Sequence, residues 1–205
     1  MENWKSLVKA YYGNVQELSS SMRWNKARKL RGLEMLRILW GEFQNNHDAL
    51  DSARYFSYIA NILIHWALVD AQEAFSSSWK DGIEAFIGVV ALGKLGGLEL
   101  NASSDIDLIF FARESTPLGS ESLEKYFLHL VDFLGKTTSY GFCYRVDLRL
   151  RPEGDSGALY SLYSQALEYY RSRGRAWEFQ AWIKASLIAG HSAAYKAFLK
   201  DMEPL

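Results

Sequence analysis

Asp105 and Asp107 stand two residues apart in the run Asp105-Ile106-Asp107-Leu108-Ile109-Phe110-Phe111, whose composition is that of a β-strand. A strand alternates its side chains, so both carboxylates share one face while Ile106 and Leu108 point into a core. Two adjacent like charges call for a cation. Magnesium suits them, because it binds one or two carboxylates and fills its remaining positions with water and substrate phosphate. Asp147 repeats the pattern: Arg145, Asp147, Arg149 and Arg151 share one face of a second strand, and Val146, Leu148 and Leu150 share the other. Were these strands neighbours, three carboxylates would converge, and two Mg2+ ions could clamp the attacking and leaving oxygens of a phosphoryl transfer. Arg149 and Arg151 would then hold phosphate oxygens.

A polar, Gly-rich stretch from Lys94 to Ser104 precedes the paired aspartates. Gly96 and Gly97 lack side chains, so their backbone N–H groups can approach a phosphate, and Lys94, Ser103 and Ser104 add donors. Each piece alone has a plainer reading. Asp-x-Asp is commonplace, Gly-Gly is more often a turn, and the arginine run resembles an exposed sheet face with cross-strand ion pairs. The order strand, Gly-Gly loop, Asp-x-Asp strand, helix, Asp strand is more specific than its parts, and together they point to a metal-dependent phosphoryl site. His47, His65, His129 and His191 are scattered without metal-ligand spacing, and no Ser-His-Asp or Cys-His arrangement can be picked out. Trp66, Trp177 and Trp182 fall on apolar helical faces, where core packing is expected. The lone Cys143 excludes an internal disulfide and fits a core position in a reducing compartment.

The elements that must position these groups follow from periodicity. Residues 1–82 read as a helical subdomain, with apolar positions at Leu30, Leu33, Leu36, Leu39, Trp40 and Phe43, then Tyr55, Ile59, Ile62, Leu63, Trp66 and Val69. Breaks are expected near Gly13, around Asn45 to Asp48 and at Ser76 to Ser78. Residues 83–160 read as an α/β core: a doubly buried strand over Ala85 to Leu92 closed by Gly93, the Asp-x-Asp strand, a helix from about Glu121 to Tyr140 ended by Gly141, and a strand from Tyr144 to Leu150. Residues 161–205 read as helices over Tyr163 to Ser172 and Ala176 to Ile188, with a last one capped by Ser192 and ending near Met202.

The 205 residues carry 49% hydrophobic and 15% aromatic side chains and only three Pro, a composition that folds. A net charge of −1, from 23 Lys and Arg against 24 Asp and Glu, argues against a nucleic-acid partner and makes any phosphate site local. Charges interrupt every apolar stretch before spanning length and the first residues lack a signal-like apolar run, so no membrane and a cytoplasmic location are expected.

The segment Leu92-Gly93-Lys94-Leu95-Gly96-Gly97-Leu98-Glu99-Leu100-Asn101-Ala102-Ser103-Ser104-Asp105-Ile106-Asp107 closely resembles the signature of glutamine synthetase adenylyltransferases, also called glutamate-ammonia ligase adenylyltransferases. Tyr144 to Pro152, with Gly154 and Ser156-Gly157, resembles that family's second signature. Weaker similarity covers Arg31 to Ile38 and Tyr169-Tyr170 through Trp177-Glu178. The resemblance implies an α+β, polymerase-beta-like nucleotidyltransferase fold: a small mixed sheet with helices, flanked by N-terminal and C-terminal helical segments. It also implies two Mg2+ ions, ATP or ADP as nucleotide, glutamine synthetase as partner, a second nucleotidyltransferase unit, and nitrogen-signalling regulatory proteins. Family members pair a unit that attaches AMP to a tyrosine of glutamine synthetase with one that removes it by phosphorolysis. The Asn-x-Ser-Ser-Asp-Ile-Asp loop and the Tyr-Tyr-x4-Arg-x-Trp-Glu stretch are more similar to the N-terminal, adenylyl-removing unit. Glu153 departs from the pattern, placing an extra carboxylate beside the arginines and implying altered phosphate binding. The same residues would also serve a nucleotidyltransferase with another substrate, or a module that binds glutamine synthetase or a nucleotide without turnover.

Overall fold

The computed structural model describes residues 14–75 and 82–203. Two long helices come first, α1 (Ser20–Phe43) and α2 (Ala49–Phe75). Helix α1 stops where Asn45 takes the left-handed conformation (φ 58°) that Asn tolerates. Asp48 starts α2, its carboxylate accepting from the Asp51 N–H at 2.8 Å. The expected break at Asn45 to Asp48 is therefore present, while Gly13 and Ser76 to Ser78 lie outside the described residues. One face differs from expectation. Leu30 is buried, but Leu33, Leu36, Leu39, Trp40 and Phe43 are exposed, because the inward stripe of α1 is instead Arg23, Ala27, Arg28, Leu30, Ile38 and Gly41.

The sheet is built from β1 (Ile87–Ala91), β2 (Ile106–Ala112), β3 (Val146–Asp147), β4 (Tyr160–Leu162) and β5 (Ser186–Gly190). Strand β1 is buried at every position, as its unbroken apolar run requires. It pairs antiparallel with β2 on one edge and antiparallel with β5 on the other. The far edge of β2 takes two parallel partners in succession, β3 along its first residues and β4 along its last. A single helical turn, α3 (Gly93–Gly96), follows β1, and α4 (Ser120–Gly135) follows β2.

Helix α4 ends before Gly141 because the buried Arg28 reaches its carbonyl end. The guanidinium donates to the carbonyls of Phe133 at 3.0 Å and Lys136 at 2.7 Å, and also to Gly141 and Trp24, while the Cys143 and Tyr144 N–H groups turn back onto Leu134. The strand expected over Tyr144 to Leu150 contracts to Val146–Asp147, since the Asp147 carboxylate captures the Arg149 N–H at 2.9 Å and folds the chain into a turn. Helices α5 (Tyr163–Arg173), α6 (Ala176–Trp182) and α7 (Ser192–Met202) complete the described chain. The stretch expected as one helix from Ala176 to Ile188 splits at Ile183–Ala185. Its second half, Ser-Leu-Ile-Ala-Gly, fits either period, and the unpaired edge of β1 decides for strand. His191 rather than Ser192 caps α7, its Nδ1 accepting from the Ala194 N–H.

Period-two alternation sends successive β2 side chains to opposite cores. Phe110 stacks on Phe127 of α4 at 4.7 Å, within a cluster that also takes Leu30 of α1 and Leu63 of α2. Phe111 stacks on Tyr163 at 4.8 Å, within the second cluster with Trp182 and Phe198. Cys143 and Trp66 are core residues as expected, whereas Trp177 is exposed. Among the described residues no helix is long and apolar enough to cross a membrane. Among the described residues, seven helices around a small five-stranded mixed sheet make this the α+β plan of a polymerase-beta-like nucleotidyltransferase.

Candidate active site

Strands β2 and β3 set the carboxylates. Their parallel register places Ile106 opposite Val146 and Asp107 opposite Asp147, with the Ile106 N–H donating to the Arg145 carbonyl at 3.0 Å. Asp107 and Asp147 are therefore side-by-side neighbours on one face, and Asp105 immediately precedes β2, near enough for its charge to act on Asp107. Ile106, the wholly buried first residue of β2 between Asp105 and Asp107, anchors the strand from behind.

Antiparallel pairing of β1 with β2 delivers the next part. It brings the end of β1 beside the start of β2, with the Leu92 N–H on the Asp107 carbonyl at 3.0 Å. The chain then turns at Gly93 in the left-handed region (φ 55°), and a Cβ there would come within 2.5 Å of Asp107 Oδ2. Gly93 thus keeps clear the space that the Asp107 carboxylate occupies. Sequence reading assigns Gly93 only to the end of a strand; the available signal was a glycine closing a buried strand directly before Lys94. Replacing it with Ala should cost about 1–2 kcal/mol for the left-handed conformation. Pushing the Asp107 carboxylate aside should also lower turnover roughly 10^2-fold, the scale of a 1 Å misplacement. Steady-state kinetics and urea unfolding of Gly93→Ala would check both effects.

The charges are unevenly balanced. Burial and the negative neighbours Asp147 and Asp105 push the Asp107 carboxyl up from the usual range, against the pull of Arg149 and Lys94. Asp147 is held below that range by hydrogen bonds from Arg149, whose Nε lies 3.0 Å from both carboxylate oxygens and whose Nη2 lies 2.5 Å from Oδ2. Asp105 is paired with Arg145, Nε to Oδ1 at 2.5 Å, and the same guanidinium donates to the Ser103 carbonyl at 3.1 Å. Arg145 is a site residue that the sequence points to only as one of a row.

The remaining predicted residues divide by what they touch. Lys94 is exposed and near enough to favour the ionised form of Asp107. The Gly96 and Gly97 N–H groups donate to the Leu92 and Gly93 carbonyls, closing the α3 turn. A Cβ on Gly96 would meet the Lys184 and Ala91 carbonyl oxygens at 2.2 and 2.7 Å, so this glycine permits backbone packing. Ser104 tightens its own loop, its Oγ accepting from the Asn101 N–H, and Ser103 offers its carbonyl to Arg145. Arg151 donates to the carbonyls of Leu148, Asp155 and Gly157, bracing the turn that presents Arg149. Glu153 pairs with Arg173 of α5 at 2.8 Å rather than with Arg149 or Arg151.

Magnesium needs only one or two carboxylates, and the Asp107–Asp147 pair with Asp105 nearby supplies hard oxygen donors. The donor set fits the ion. Among the described residues no three His, Cys, Asp or Glu side chains close into a metal cage. Asp105 and Asp147 have turned their oxygens toward arginines instead.

The glutamate-ammonia ligase adenylyltransferase family matches residues 3–201. A bifunctional glutamine synthetase adenylyltransferase/adenylyl-removing enzyme of Hahella chejuensis is 36% identical over 207 residues, covering 93% of this chain and 22% of that protein. Proteins of the same name from Alteromonas mediterranea and Shewanella loihica are 37% and 36% identical, covering 78% and 85% of this chain and 18% and 20% of theirs. The chain thus spans about a fifth of the length of these relatives. With the family matched almost end to end and the aspartates in register on neighbouring strands, the chain belongs to the glutamate-ammonia ligase adenylyltransferase family.

Proposed function

We propose that this chain is a Mg2+-dependent nucleotidyltransferase unit that removes AMP from the regulatory tyrosine of glutamine synthetase by phosphorolysis. The in-register pair Asp107–Asp147, with Asp105 just ahead of β2 and the clearance left by Gly93, supports the phosphoryl-transfer site, and the resemblance of the Asn101 to Asp107 loop and the Tyr169 to Glu178 stretch supports the removing direction. Residues 83–160 carry the reacting groups, and residues 1–82 and 161–205 brace them.

In this reading inorganic phosphate attacks the adenylyl phosphorus in line. A new P–O bond forms, the bond to the tyrosine oxygen breaks, and ADP and free tyrosine are released with the proton taken up at the tyrosine oxygen. Asp105 and Asp107 would hold two Mg2+ ions together and Asp147 would complete one of them; bound there, the ions supply charge neutralisation at the phosphoryl and leaving oxygens. The chain's own task is positioning. Lys94 and Arg149 reach phosphate oxygens, Arg151 fixes the turn that carries Arg149, and Gly96, Gly97, Ser103 and Ser104 shape the loop beneath. The names of the relatives, which join both activities, support glutamine synthetase as substrate and a second unit as neighbour. Regulatory partners from nitrogen signalling and a cytoplasmic setting belong to the same proposal.

Incubating the chain with adenylylated glutamine synthetase, phosphate and Mg2+ should release ADP and regenerate the unmodified protein. Pyrophosphate from ATP and unmodified glutamine synthetase, with no ADP in the first reaction, would reverse the direction. Neither product with either form would overturn the reading.

A further inference from the structure

Asp147 is enclosed by a single residue. Arg149 places Nε 3.0 Å from both of its oxygens, Nη2 2.5 Å from Oδ2, and its backbone N–H 2.9 Å from Oδ1. A carboxylate offers about four lone-pair positions, and these contacts use most of them. A metal ion needs the same oxygens. The Arg149 side chain is nevertheless 72% exposed on a long flexible stem, so its hold is readily exchanged. Asp105 is engaged less completely, through Oδ1 alone and by Arg145, whose side chain is 63% exposed. Asp107 has Asp147 and Asp105 as negative neighbours, against the pull of Arg149 and Lys94.

We propose that Arg149, with Arg145 in a lesser role, is a resident counter-ion: it occupies Asp147 while nucleotide is absent and transfers to phosphate when metal and nucleotide arrive together. The inference rests on the metal-site reading above. The exchange trades one charge-assisted pair for another, Arg-carboxylate for Arg-phosphate, so the guanidinium is never left unpaired. Its consequence is coupling. Metal alone must displace Arg149, whereas metal with a phosphate group brings the arginine a new partner, so each ligand favours binding of the other.

Mn2+ binding to the whole chain, followed by electron paramagnetic resonance with and without ADP, tests this directly. Arg149→Met should bind Mn2+ alone roughly three- to five-fold more tightly than the unaltered chain, the scale of an exposed ion pair. ADP should then enhance Mn2+ binding less in the variant than in the unaltered chain. Arg171→Met, which removes an exposed charge from α5, should leave Mn2+ affinity unchanged. Unchanged or weaker Mn2+ binding by Arg149→Met, or equal tightening by Arg171→Met, would overturn the exchange. Asp107→Asn separates the two levels: if it binds Mn2+ as well as the unaltered chain, the metal-site reading itself fails and the exchange with it.

Discussion

Asp107→Asn should reduce turnover by about 10^2- to 10^3-fold, the order of loss when one preorganised electrostatic group is removed from an active site. The same substitution should raise the thermal stability of the metal-free protein. Burial, Asp147 and Asp105 all disfavour the ionised form of Asp107. Its raised folded-state pKa means that the carboxyl favours folding only at pH below the ordinary carboxylate range and opposes it as pH rises through the folded value. At neutral pH the charge is therefore a penalty, and an uncharged amide of nearly equal volume removes it. A gain of about 1 kcal/mol is the usual size for such relief. For a chain of this length that is about 2–4 °C in Tm, measurable by calorimetry in a metal-free buffer. Lost activity with unchanged or lowered stability would mean that Asp107 is held by contacts other than these.

Asp70→Ala should be the most destabilising single change outside the site. Asp70 and Arg23 are almost wholly buried, with Asp70 Oδ1 accepting from Arg23 Nη1 at 2.8 Å. Its Oδ2 accepts from Trp24 Nε1 at 2.8 Å, His129 Nε2 at 2.9 Å and Ser20 Oγ at 3.1 Å. One carboxylate thereby ties α2 to α1 and α4. Truncation leaves the Arg23 guanidinium beneath the surface without that partner, although Glu73 and the Val15 carbonyl still receive it, and a loss of about 3–5 kcal/mol is expected in urea unfolding. Burial alone would raise the Asp70 pKa, but the hydrogen bonds from His129, Trp24, Ser20 and Arg23 outweigh it and hold the value down to about 2. A depressed carboxylate contributes stability that is complete above its unfolded pKa, about 3.9, and is lost as pH falls through the folded value. The difference between the unaltered chain and Asp70→Ala should accordingly shrink between about pH 4 and pH 2. A difference independent of pH across that window would exclude the carboxylate charge as its source.

Part of the site's arrangement is legible in the sequence because strand periodicity is a strict code. The alternation around Ile106 and Leu108 sets Asp107 apart from the buried face, the strand beginning only after Asp105, and the buried Ile87–Ala91 run must be a covered strand. What periodicity does not carry is the partner. Ser186 to Ile188 reads as the end of a helix until β1 is seen to need a second edge, and β4 is short enough to vanish into a loop. The α1 stripe through Leu33, Leu36, Trp40 and Phe43 has helical spacing yet faces outward, since the inward stripe includes arginines whose donors find carbonyls and carboxylates far along the chain. Gly93 and Arg151 show the same limit inside the site. Their neighbours are set by strand register and turn geometry, so a glycine expected to end a strand guards Asp107, and an arginine expected at phosphate braces a turn. The Glu153 departure, expected to disturb the arginines, is resolved by Arg173.

The measurement that bears most directly on the aspartate site is ADP release from adenylylated glutamine synthetase, with phosphate and Mg2+, run side by side for the unaltered chain and Asp107→Asn. ADP from the former and none above background from the latter is the expected result. Equal ADP from both would contradict the assignment of Asp105, Asp107 and Asp147 as the groups that carry the reaction.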